Sequence, residues 1–427
     1  MNDIVIYTKL CTERQAYVFD FVFNEIFGIN YLLTDSKEKY KNSNAFRINY
    51  SEQPVKAELQ VIPHNLLYES DVQQQEISVS KWKGLPVFFQ TPGGETPFDI
   101  FSAVFYLISR YEEYLPYAPD LYQRFPHADS LAFRNDFLKI PLVDLWLKEF
   151  KAILLAKKPS LSFKDNTFQF LPTYDIDIAY SYAGKGAGRN LGGALHDLIK
   201  GNISSVEERI SVLNQSKKDP YDSYDFLDDL HGKFDLHPVY FFLAGENGEL
   251  DKNIPFENDT MQKLFAHLSS KYAVGIHPSY QSHQSIEILK SEIVKIETNK
   301  SRQHYIRFAL PDTYQNLLAL GITEDYSMGY GSINGFRAST SFPFYWFDLS
   351  KNVKTTLRVF PFCYMECNSF FEQGYSAGMA FNEMKHYLNE VRKVNGILIT
   401  IWHNFSLGTD KLWSGWKEVY EDFLKLV

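Results

Sequence analysis

Two carboxylates, Asp175 and Asp177, stand two residues apart in PTYDIDIAY, directly after the apolar run FQFLP. At that spacing they repel each other unless a proton or a cation lies between them. At the end of a buried strand, a divalent metal ion answers that need. His277 ends a second apolar run, in YAVGIHPSYQSH. Its imidazole is a good zinc ligand, and Pro278 stiffens the exit. SRQHYIRF puts Arg302 and His304 at the start of a strand-like run. In GFRASTSFPFYWFDL, Arg337 lies among aromatics, where a guanidinium usually has a carboxylate partner. GILITIWHNFSL closes on Trp402 and His403, an imidazole suited to general acid work near neutral pH.

The elements that must position these residues follow from the same runs. From about residue 168, short apolar strands alternate with helices. The strands are FQFLPTYDID, HPVYFFLAG, YAVGIHPS, RQHYIRF, ITEDYSMGY, LRVFPF and GILITIWHN. Between them the periodicity predicts helices over 259–270, 284–299, 313–320, 376–394 and 414–426. Alternation of β and α predicts a parallel sheet, open or closed into a barrel. In such folds, reactive residues sit at the C-terminal ends of strands, where the polar residues above cluster.

The first part of the chain reads differently. Ile4–Tyr7 is a short strand, Thr12 with Gln15 forms a capping box, and Gly28 stops the helix between. AFRINY and AELQVI suggest a small sheet. Phe98 to Tyr114 reads as one helix with Ile100, Val104, Leu107, Ile108 and Tyr111 on one face, and 141–156 as another. KKPSLSFKDN (157–166) is the best boundary. The expected organisation is an α/β N-terminal domain over 1–160 and a second domain over 168–427.

A formal net charge of -9 argues against general nucleic-acid binding, which needs a basic surface. Three cysteines, Cys11, Cys363 and Cys367, make no disulfide framework, and Cys363 and Cys367 read as buried thiols. No apolar stretch is long enough to span a membrane. MNDIVIYTKLCTERQ has no signal-peptide pattern, so the expected compartment is the cytoplasm.

TYDID, GIHPSY, SRQHY and IWHN occur in the order of the signature segments of polysaccharide deacetylases of the NodB-homology type. Over roughly 168–427 the chain resembles a divergent branch of that family with an extra N-terminal domain. The resemblance implies a deformed (β/α) barrel, a zinc-like divalent ion, and removal of N-acetyl groups from a carbohydrate substrate. It implies Asp175 as catalytic base, Asp177 and His277 as metal ligands, and His403 as acid. Ile176 separates two aspartates that the common pattern has adjacent, and Gln281 stands where a second histidine is usual. The third ligand is therefore assigned to His304, with His283 as the rival. Arg302 would hold the base, with Arg337 sharing or replacing it. Asp325 is the nearest acidic partner for His403, and Glu366 an outside one. Tyr174, Tyr280, Tyr330 and Trp402 are the aromatics available to stack on sugar rings.

Overall fold

The computed structural model describes residues 3–427. Near its start, β1 (Ile4–Thr8), β2 (Tyr31–Thr34), β3 (Phe46–Tyr50) and β4 (Leu59–Gln60) form a parallel sheet in the order β2-β1-β3-β4. Thr12 caps the first helix by accepting from the Gln15 amide at 3.2 Å. The reciprocal half of the box is missing, because the buried Gln15 side chain has no partner. A small hairpin, β5 (Ser80–Trp82) and β6 (Leu85–Val87), follows.

The helix expected over 98–114 is interrupted. It runs Ile100–Ile108, and Arg110 then turns into the left-handed region at φ 54°. The reason is tertiary. The Arg110 guanidinium, 1% exposed, pairs with Glu112 at 2.9 Å and Glu113 at 2.7 Å. A pair of buried ionic contacts outweighs helix propensity worth tenths of a kcal/mol per residue, as ~0.7 kcal/mol at most.

The second sheet holds β7 (Gln169–Ile176), β8 (Val239–Leu243), β9 (Ala273–His277), β10 (Lys300–Ser301), β11 (Glu324–Asp325), β12 (Phe344–Asp348), β13 (Val353–Val359), β14 (Tyr364–Met365) and β15 (Ile397–His403). Their order is β12-β13-β11-β10-β9-β8-β7-β15-β14, all parallel except the β12–β13 pair. This is the α/β alternation expected. Among the described residues the hydrogen-bonded ladder ends at β14 and β12, so the sheet is not closed into a ring. The expected strand RQHYIRF is absent. β10 stops at Ser301, and Tyr305 and Ile306 take positive φ values of 58° and 52°. A β-branched residue held there stores strain of roughly 1–3 kcal/mol, as often found beside functional sites.

One continuous apolar core joins residues of both sheets. No helix among the described residues is long and apolar enough to cross a membrane. Within the core, Tyr174 stacks on Tyr240 and shares its hydroxyl with Tyr420 and with His231 Nε2 at 2.9 Å. His231 is 3% exposed, and burial pushes its pKa down to about 4 from the ordinary 6.5. The folded chain thus favours neutral imidazole, while the unfolded chain binds a proton below 6.5. The stabilisation is complete above pH 6.5 and is lost as pH falls towards 4, on the order of 3 kcal/mol. Burial also pushes His283 down to about 4, so it adds to the same window. Urea unfolding between pH 7 and 4 is expected to show this loss, with a visibly shallower slope in His231→Phe. An unchanged slope would contradict it.

Candidate active site and metal centre

Four strands within a run of five neighbours deliver the polar cluster from their C-terminal ends. β7 carries Asp175 and leads to Asp177, β15 ends on His403, β9 ends on His277, and Arg302 and His304 follow β10. In a flat sheet β15 and β10 would lie about 19 Å apart, at ~4.8 Å per strand. Yet His403 Nε2 lies 3.3 Å and His304 Nε2 3.4 Å from Asp177 Oδ2. The sheet is therefore strongly curled around Asp177.

Each imidazole is oriented from behind. His277 Nδ1 donates to the Arg302 carbonyl at 2.6 Å, an acceptor that fixes the proton on Nδ1. His304 Nδ1 meets Asp251 at 2.8 Å, and His403 Nδ1 meets Glu366 at 2.8 Å. All three Nε2 atoms consequently face Asp177. Carboxylate or carbonyl partners behind histidines in this way are the usual support of metal ligands.

Electrostatics make the same point. Burial raises the Asp177 carboxyl, but His304, His403 and His277 pull it well below the usual carboxylate range. Burial lowers His304, and Asp177 and Asp251 more than offset this, pushing it up to about 9. Burial likewise lowers His403, while Cys367, Glu366 and Asp177 raise it well above the usual imidazole value. The cluster gathers positive charge around one carboxylate.

The residues fit a divalent cation. Ligand atoms of Asp177, His277 and His304 all lie within 4.8 Å of one another. His277 Nε2, with its proton fixed on the other nitrogen, presents a lone pair to Asp177 Oδ1 at 3.1 Å. Oδ1 is buried and accepts no hydrogen bond. Two facing lone pairs at that distance need a proton or a cation between them. Two imidazoles, a carboxylate and a free position are the donor set of catalytic zinc sites.

Asp175 stands beside this group. Its Oδ1 accepts from Arg302 Nη1 at 2.8 Å, and its Oδ2 lies 3.9 Å from His277 Nε2. Arg302 is fully buried, and its guanidinium also donates to the Tyr326 carbonyl and packs on Phe241. The cluster opens into a cavity of ≈ 410 Å³, lined also by Tyr122, Arg124, Tyr305, Phe371 and Phe405.

Several expected site residues lie elsewhere. Arg337 does not approach Asp175; it makes a two-pronged pair with Glu113, at 2.9 and 2.6 Å, and packs on Phe308. Tyr174 and Trp402 point to the opposite face of the sheet from Asp175 and His403. Both are fully buried, and Trp402 packs on Tyr420, Tyr364 and Trp416. Tyr280 is covered by Arg307 at 3.9 Å and lies outside the cavity lining. Tyr330 is buried against Arg337 and Arg110. His283 is directed to Thr313, away from Asp177. Asp325 accepts from Ser301, Tyr314 and Ser327, so the partner of His403 is Glu366.

The cavity holds residues the sequence did not single out. Asp251 comes from the loop GENGELDKN, which has no periodic signal. Tyr122 stacks on Tyr305, and Arg124 donates to the Tyr305 carbonyl at 2.8 Å, so the N-terminal part of the chain forms one wall. Cys367 Sγ lies 3.4 Å from His403 Nδ1, and burial pushes its thiol up to about 12. Of the three free cysteines, Cys363 is buried as expected, Cys367 half-buried and Cys11 exposed.

Comparison with known proteins divides along the chain. Residues 4–159 match a family of unknown function (DUF7033). No curated protein matches the chain. Among solved structures, the chain is similar to one described as a "putative polysaccharide deacetylase from Mycobacterium smegmatis", at 10% identity and a TM-score of 0.40. That alignment covers 62% of this chain and 86% of the other.

Proposed function

We propose that this chain is a metal-dependent hydrolase that removes N-acetyl groups from a carbohydrate. The observation that carries the reading is the convergence of three back-supported imidazoles on Asp177, with the Asp175–Arg302 pair beside them. Asp177, His277 and His304 would hold a divalent ion, zinc by the chemistry of the donors. Bound there, the ion would supply Lewis acidity and water of lowered pKa. Asp175 would take the proton from the attacking water, aligned by Arg302. His403, kept charged and pinned by Glu366, would give its proton to the departing amine, which leaves poorly without one. Phe371 and Phe405 at the mouth, with Tyr305 and Tyr122, would offer faces for a sugar ring.

The domain organisation and the barrel belong to the same proposal. Residues 168–427 would be the hydrolase domain, a curled and incompletely closed (β/α) barrel. Residues 1–160 would be a domain whose Tyr122 and Arg124 complete the cleft wall.

The reading is tested by acetate release from a panel of N-acetylated sugars by the zinc-loaded chain. Release is expected, and Asp175→Asn is expected to lower its rate about 10²–10⁴-fold, the usual worth of a general base. Sugar binding without acetate release from any substrate would turn the reading into that of a carbohydrate-binding protein.

A further inference from the structure

Seven of the nineteen exposed large hydrophobic side chains among the described residues fall within residues 191–213. Such crowding is not the ordinary scatter of single apolar residues over a surface. These residues lie on two helices, Gly186–Ile199 and Ile203–Leu213, inserted between β7 and β8. The inner face of the first helix is settled by contacts. Arg209 of the second helix donates to Asn190 at 3.1 Å and to Asp197 at 2.8 Å. Gly193 lies on the same side, where a Cβ would stand 2.6 Å from that guanidinium. The opposite face carries Leu195 and Ile199, 58% and 77% exposed, with Leu191 and Leu198 beside them. On that same face a Cβ at Gly188 or Gly192 would meet nothing. The second helix exposes Ile203, Ile210 and Leu213.

Charge marks the rim of this face. The chain has a net charge of -9, yet residues 185–218 hold six cations against three carboxylates. Among the described residues, three of the six, Lys185, Arg189 and Lys200, form no ion pair, and Arg189 donates only to the Asn253 and Lys252 carbonyls, at 3.4 and 3.3 Å. On a helical wheel they flank the Gly188–Gly192–Leu195–Ile199 face on one side. Burial, and after it Arg189 and Arg209, push Lys185 down to about 8 against the opposing pull of Asp219.

We propose that this helical hairpin docks on an anionic lipid bilayer surface, its aliphatic face entering the headgroup boundary and Lys185, Arg189 and Lys200 meeting lipid phosphates. An apolar face edged by unpaired cations is the pattern of helices that lie in a membrane interface. The hairpin is rooted beside the cleft. Asp219 accepts from the amides of Ser181, Tyr182 and Ala183, and Asn404, next to His403, donates to the carbonyls of Ile178, Ala179 and Tyr221. Docking would therefore bring the cleft to the bilayer, and a lipid-carried substrate within its reach.

The test is vesicle co-sedimentation of the full chain, without substrate or metal, so that its outcome is separate from that of the hydrolase reading. Binding is expected to vesicles of phosphatidylcholine with phosphatidylglycerol, weakened by salt, and absent from phosphatidylcholine alone. Leu195→Asp with Ile199→Asp should abolish it. Lys185→Gln, Arg189→Gln and Lys200→Gln together should weaken it about 100-fold, at roughly fivefold per cation. The urea midpoint should stay unchanged in the Asp variant, as Leu195 and Ile199 are exposed, and in the Gln variant it reads any loss from the half-buried Lys185 and from the Arg189 contacts with the Asn253 and Lys252 carbonyls. Wild-type protein that ignores anionic vesicles would overturn the proposal. So would a concentration-dependent dimer that the Asp variant dissolves, which would assign the face to a second copy of the chain.

Discussion

Asp177→Ala is expected to leave the chain without its zinc and to lower acetate release by about 10³-fold or more. The carboxylate is the common point of the three imidazoles, each of which has its Nε2 aimed at it. Its removal takes away one ligand and the negative charge that draws a cation into a buried site. Loss of several kcal/mol of Lewis-acid assistance corresponds to about three decades in rate. Metal content by atomic absorption after dialysis, measured beside the rate, checks both halves. Full zinc occupancy in the variant would show that the ion is held elsewhere. Stability should fall as well, because Asp177 is the buried carboxylate that holds His304 and His403 above the usual imidazole range.

Glu113→Gln is expected to cost about 3–5 kcal/mol of folding stability without touching the cleft chemistry directly. Glu113 is buried between two buried arginines. Its Oε1 accepts from Arg110 Nε at 2.7 Å and Arg337 Nε at 2.9 Å, and its Oε2 from Arg337 Nη2 at 2.6 Å. The two guanidiniums hold its carboxyl below the usual range despite burial. Neutral glutamine would leave Arg337 with no carboxylate and Arg110 with Glu112 alone. Against a typical total of roughly 5–15 kcal/mol, this is a large fraction. Urea denaturation at neutral pH checks it. A change below about 1 kcal/mol would mean that the cluster relaxes or admits water. Because the pair joins residue 113 to residue 337, the same experiment asks whether the two parts of the chain unfold together.

The strand tips that bring Asp175, His277 and His403 together were legible because each follows a mostly apolar run: FQFLP shortly before Asp175, ILITIW before His403, AVGI before His277. Buried parallel strands need such runs, and their C-terminal ends are where polar residues can face a cleft. Tyr174 and Trp402 were misjudged although strand parity already excluded them. Neighbours along a strand point to opposite faces, so an aromatic next to Asp175 or His403 must face away from them. The partner of Arg337 was expected to be a carboxylate, and it is one. Its identity was hidden because Glu113 lies 224 residues away in sequence. Asp251 and Glu366 were hard for a similar reason. Each is placed by a loop or short strand whose sequence has no period, and each acts by contact with a histidine from another strand. The hydrogen-bonded ladder also ends before the sheet closes, which no local pattern encodes.

The most direct measurement is anomalous diffraction at the zinc absorption edge from crystals grown with zinc. A single strong peak in contact with Asp177, His277 and His304, with Asp175 and His403 on either side of the remaining position, is the expected result. Density free of any anomalous peak among these residues, or zinc held only at the protein surface, would contradict the metal centre and the chemistry built on it.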